Sequence, residues 1–208
     1  MAALIKLYED NTNEQHLSQV VEVLRKGGLV VIPTDTVYAI ACALDQPKAI
    51  ERLAKIKGVK PNKAQFSLIC YDLSNISDYT RQMNNTTFKM MKRALPGAFT
   101  FILEANNRVP KLFMSNKKTV GIRVPDNTIA RKITQALGLP LVVTSVHDDD
   151  EVLEYITDPE LIQEKYSHQI DLVVDGGYGN LEASTIVDCT TEPPEIIREG
   201  LGSVDVLF

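Results

Sequence analysis

The sequence predicts an α/β protein, a sheet of short and partly parallel strands covered by helices. Three observations carry this. Short apolar runs alternate with segments of helical periodicity along most of the chain. Two of the runs, Leu29–Ile32 (LVVI) and Leu141–Thr144 (LVVT), do not alternate with polar residues, as expected of strands buried on both faces. The chain has 208 residues, 44% hydrophobic and 24% charged, which fits one domain over residues 1–208 that can bury its core without disulfides.

The elements follow in order. Leu17, Val20, Val21 and Leu24 recur at helical spacing, so residues 14–26 form a helix that Gly27-Gly28 stops. Residues 29–33 are a strand and 34–37 a loop. A second helix covers 47–57, with Ile50, Leu53 and Ala54 on one side, and a lysine-rich loop covers 58–65. Strands are expected at 66–70, 99–104, 119–124, 141–144, 172–174, 184–188 and 195–198. Helices are expected at 87–95, before Pro96-Gly97, at 128–137, before Gly138, and at 161–166. No repeat, linker or low-complexity tract interrupts the series.

Composition excludes several classes. Cys42, Cys70 and Cys189 are odd in number and far apart, with no CxxC pair, so neither a zinc ribbon nor a thioredoxin-like site is expected. Reduced thiols, no signal peptide and no long apolar run make the cytoplasm the expected location. There is no tryptophan, so broad aromatic platforms for stacked bases are not expected. Net charge is −5, but it is segregated. Lys48 to Lys132 carries 17 Lys and Arg against 5 Asp and Glu, whereas residues 133–208 carry 2 against 16. Such segregation fits an anion-facing surface, or basic helices paired with acidic ones across the fold.

Polar groups gather just after strands, where ligands of open α/β sheets usually sit. Thr34 and Thr36 flank Asp35 after LVVIP; they either contact a ligand or cap a turn. Lys55, Lys57, Lys60 and Lys63 crowd one loop. Arg123 lies between apolar neighbours in GIRVP, and either faces solvent or reaches an anion. Thr144-Ser145, Ser184-Thr185 and Arg198 complete the set; arginine forks bind carboxylate and phosphate. No P-loop or dinucleotide fingerprint occurs, no histidine has a catalytic context, and no metal ligand set is expected. Asp148-Asp149-Asp150-Glu151 reads as an acidic turn rather than a hard-cation site.

The order of blocks is distinctive: GG-strand-PTDTVY, a lysine 24 residues after that proline, then LPGAFTFIL, GIRVP, PLVVTS, STIVD and IIREG. From about Gly27 to Gly202 this resembles the YrdC/YciO family, which includes the threonylcarbamoyl-adenylate synthases. The resemblance implies a twisted mixed sheet flanked by helices, with a concave cationic face. It implies nucleotidyl transfer on L-threonine, bicarbonate and ATP with Mg²⁺, giving threonylcarbamoyl-AMP for tRNA modification. Carried over by position, Lys57 is catalytic and faces carbamate and phosphates. Thr34, Thr100, Arg123 and Ser184 serve the amino acid, while Lys60, Ser145 and Arg198 serve the nucleotide.

Three positions depart from the synthase pattern. Val59 replaces the arginine of K-x-R, with Lys60 next to it as a substitute. His147 replaces the asparagine of S-x-N and precedes three aspartates. Ala39 follows PTDTVY where glycine is usual. These departures resemble the YciO branch. Loss of one oxyanion donor costs about 10²–10³ in turnover, so they imply weak synthase activity, or a module that holds double-stranded RNA, tRNA or rRNA on the same face without catalysis.

Overall fold

A computed structural model describes residues 2–111, 118–146 and 154–208. The helical signals hold. Helix α1 spans Glu14–Arg25; the Asn13 side chain caps it by accepting from the Gln15 and His16 amides, and Leu17, Val20, Val21 and Leu24 are its buried stripe. Helices α2 (Pro47–Ile56), α3 (Asn85–Ala94), α4 (Thr128–Leu137) and α6 (Pro159–Tyr166) follow, with a short α5 (Glu154–Thr157). Gly138 closes α4 in the left-handed conformation, at φ 78°, as the sequence signal requires.

Among the described residues ten strands form one sheet: β1 (Ala3–Lys6), β2 (Val30–Ile32), β3 (Ala39–Ala43), β4 (Ser67–Ile69), β5 (Phe99–Glu104), β6 (Thr119–Arg123), β7 (Leu141–Ser145), β8 (Leu172–Asp175), β9 (Thr185–Asp188) and β10 (Glu195–Arg198). Their order across the sheet is β1-β8-β2-β3-β7-β4-β6-β5-β9-β10. The β1–β8, β2–β8, β4–β6 and β5–β9 pairs are parallel and the other five are antiparallel, so the sheet is mixed. Two strands went unread in the sequence. β1 is a mostly exposed edge, and β3 is the run Ala-Ile-Ala-Cys-Ala, whose small residues have little strand preference of their own.

Helices cover both faces. On one, α2, α3 and α6 bury Ile50, Leu53, Met90, Met91 and Ile162 against Val31, Ile40, Leu68 and Phe101. On the other, α1 and α4 bury Val20, Leu24, Ile129 and Ile133 against Val30, Ala41, Ile69 and Val143. That second cluster takes side chains from β2, β3, β4, β7 and β8 but none from β5, β6 or β9. The same face of the sheet is therefore left open over its other half, and this opening places the site. Among the described residues no helix is long and apolar enough to cross a membrane.

Candidate functional site

Strand register builds the floor of the opening. Ser67 stands beside Val143 on one side and Gly121 on the other, and Gly121 stands beside Ile102. A Cβ on Gly121 would lie 2.8 Å from Ser67 Oγ and 3.2 Å from Thr100 Cγ2. Glycine thus keeps the floor low where two polar side chains meet. Above this floor is a cavity of about 510 Å³, large enough for a small polar ligand. Lys57, Thr100, Arg123, Ser145, Ser184 and Arg198 all line it. Six side chains separated by up to 141 positions therefore converge on one opening.

Each is held differently. Arg123 is buried, and its Nη2 donates to Asp35 Oδ1 at 2.7 Å in an ion pair whose side chains are 7% and 9% exposed. Asp35 Oδ2 accepts from the Asp126 amide at 3.0 Å, which ties the loop after β2 to the turn after β6. The Nε of Arg123 is buried with no acceptor among the described residues. Burial draws the Arg123 guanidinium down from its ordinary value, Asp35 offsets this, and Arg198 adds repulsion. Arginine nevertheless stays charged. An unpaired buried donor of this kind is costly until an acceptor arrives.

Thr100 and Ser184 are buried, with their hydroxyl oxygens 2.8 Å apart. Arg198 donates through Nε and Nη2 to the Ser184 carbonyl, at 3.3 and 2.8 Å. Lys57 caps the end of α2. The residue is exposed, but its ammonium end turns inward, donating to the Ala64 carbonyl at 2.8 Å and lying 5.9 Å from the Phe66 ring centre. Burial of that end lowers its pKa from the ordinary 10.5.

Two expected site residues lie elsewhere. Thr34 is not among the cavity residues: its hydroxyl donates to the Val37 carbonyl at 2.7 Å and accepts from the Thr36 amide at 3.0 Å, so it shapes the turn. The turn in fact serves the site through Asp35. Lys60 is exposed, precedes the short helix Pro61–Lys63, and is not among the residues that line the cavity. Val59 is 38% exposed and also lies outside it. Ala39, at the usual glycine position, does line the cavity. His147 and the Asp148–Glu151 run lie outside the described residues. Ser67 and Thr144 line the cavity as well; Ser67 has no signal in the sequence beyond its place in the strand expected at 66–70. Among the described residues no group of three or more His, Cys, Asp or Glu could hold a metal ion.

Fold and cavity define an α/β protein with a mixed sheet, open on half of one face, where cationic and hydroxyl side chains meet. The chain belongs to the Sua5/YciO/YrdC family, whose model, described as "telomere recombination", matches residues 22–200. It is 41% identical to an uncharacterized protein of Haemophilus influenzae over 98% of each chain. It is 38% identical to Escherichia coli YciO, whose crystal structure superposes with a TM-score of 0.91 over 100% of both chains. It is also 30% identical to the threonylcarbamoyl-AMP synthase of Vibrio vulnificus, over 89% of this chain and 98% of that protein. The expected family and the mixed sheet flanked by helices are thus found.

Proposed function

We propose that the cavity binds L-threonine beside ATP and forms threonylcarbamoyl-AMP, with reduced turnover. The observation that carries the reading is the buried Nε of Arg123, without an acceptor among the described residues, within a cavity that Lys57, Ser184 and Arg198 also line. Among the described residues that line the cavity, Lys57, Arg123 and Arg198 are cations and none is a carboxylate, while Asp35 pairs with Arg123 from outside the lining, so this lining carries excess positive charge. A ligand bearing a carboxylate at one end and phosphates at the other restores the balance.

The chemistry is positioning and charge stabilisation. The neutral threonine amine attacks bicarbonate carbon, water leaves, and a carbamate forms. A carbamate oxygen attacks the α-phosphorus of ATP, the bond to the bridging oxygen breaks, and its electron pair leaves with pyrophosphate. Arg123 holds an anionic oxygen of the amino acid, the Thr100–Ser184 hydroxyl pair meets its polar groups, and Lys57 and Arg198 face the phosphates. Ser145 borders the nucleotide. Mg²⁺ enters as the complex with ATP, and no side chain is assigned to it. The arginine usual in the synthases is missing at Val59, and the reduced turnover rests on that departure from their pattern. The test is pyrophosphate release. It should need both threonine and bicarbonate, and release that ignores either one overturns the reading.

A second reading is supported by Lys55 in the last turn of α2 and by Lys60 and Lys63 in the segment after it, all exposed. It is RNA binding without catalysis. RNA affinity that falls steeply with salt, together with no pyrophosphate release, supports this reading over the first.

A further inference from the structure

A second concavity, independent of the cavity above, lies between the short helix Leu73–Asp78 and α3. It measures about 720 Å³. Its floor is apolar: Ile76 and Met91 are buried there, and Leu73 and Met83 are partly buried against the core. The inward stripe of α3 is Thr87, Met90, Met91 and Ala94. Phe88 is not part of it, and stands 46% exposed at the groove wall. A phenyl ring on the outward side of a helix gives up part of the burial that such a residue normally gains.

The rim is cationic. From Tyr79 to Leu103 the chain has no acidic residue but carries Arg81, Lys89, Lys92 and Arg93. Lys92 follows Phe88 by one helical turn and lines the same groove, as does Arg81. Among the described residues Lys92 has no carboxylate partner, and Arg81 has only an exposed one, Glu104 at 3.8 Å. An apolar floor with cations at its edge suits one chemistry, an amphipathic segment with acidic residues flanking its apolar face. Nucleic acid would meet the cations but leave the floor unused.

We propose that this groove is a docking site for an acidic amphipathic helix of a partner protein. Apolar side chains would lie against Phe88 and Met83, and carboxylates would reach Lys92 and Arg81.

The probe is a short fluorescent helical peptide, with leucines at helical spacing on a glutamate background, and a twin with lysine for glutamate. Anisotropy with the full chain should show saturable binding of the glutamate peptide only. Phe88→Ser should weaken it at least about tenfold. Lys92→Glu should weaken it too, and should raise affinity for the lysine twin. Both positions are on the outer side of α3, so thermal unfolding should be unchanged in either variant. The proposal is overturned by absent binding, by equal affinity for the twins, or by binding that Phe88→Ser leaves intact. It is also overturned by duplex RNA displacing the peptide, or by self-association that Phe88→Ser abolishes, since the occupant is then RNA or a second copy.

Discussion

Asp35 and Arg123, 88 positions apart, form a buried ion pair at 2.7 Å that joins the loop after β2 to the end of β6. The pair orients a guanidinium whose Nε has no acceptor among the described residues. Removing one partner of a buried pair leaves the other uncompensated, at about 3–5 kcal/mol, whereas replacing both by apolar groups is often nearly neutral. Asp35→Asn should therefore lower the unfolding free energy on that scale, seen as a lower urea midpoint with the slope unchanged. The double change Asp35→Leu with Arg123→Met should recover most of the loss. A single variant as stable as the parent would show that the pair is solvated.

Gly121 sets the depth of the cavity. Its absent side chain would sit 2.8 Å from Ser67 Oγ and 3.2 Å from Thr100 Cγ2. Gly121→Val should weaken L-threonine binding at least about tenfold and cost about 1–3 kcal/mol by overpacking. Gly121→Ala combined with Ser67→Ala, which removes the nearest atom, should be more stable than Gly121→Ala alone. Calorimetric titration with L-threonine and urea unfolding read the two effects separately.

What the sequence made legible depended on how local each signal was. Helix α4 was legible at Thr128–Leu137 because Gly138 marks its end, and the structure adds the Asn127 cap at its start; β5 stood out as an apolar run after Pro96-Gly97. β3 was not visible because alanines become a strand only through pairing with β2 and β7. The site divides the same way. Block order located Lys57, Ser184 and Arg198, but Asp35 as the partner of Arg123 depends on a contact between distant segments. For Thr34 a threonine after a strand suits either a ligand or a turn, and here its hydroxyl closes the turn.

The three thiols should be inert. Cys42 and Cys70 are fully buried, and burial pushes each to about 12; partly buried Cys189 is also pushed up to about 12, with Asp188 adding to the effect. At pH 8 the thiolate fraction is then about 10⁻⁴. Thiol titration of the native protein should show slow labelling of Cys189 first, with Cys42 and Cys70 modified only at the rate of unfolding. Rapid labelling of either would mean that the core opens around it.

Lys57 gives the site a pH dependence whose direction follows from burial. Its folded pKa lies below the ordinary 10.5 because the fold penalises the ammonium. Between the folded and ordinary values, the unfolded chain holds a proton that the folded chain has released. Stability of the free protein therefore rises with pH across that window, and the penalty is fully present below it. Binding of an anion runs the other way, since it needs the ammonium. Affinity for ATP should be flat below the folded pKa of Lys57 and fall as pH rises through it, with a midpoint under 10.5. Lys57→Arg keeps its charge throughout, so it should remove the fall even if it weakens binding at neutral pH. Lys57→Gln should abolish both the fall and the rise in stability. If the parent and Lys57→Arg lose affinity along the same curve, the titrating group is not Lys57, and the lysine does not face the phosphates.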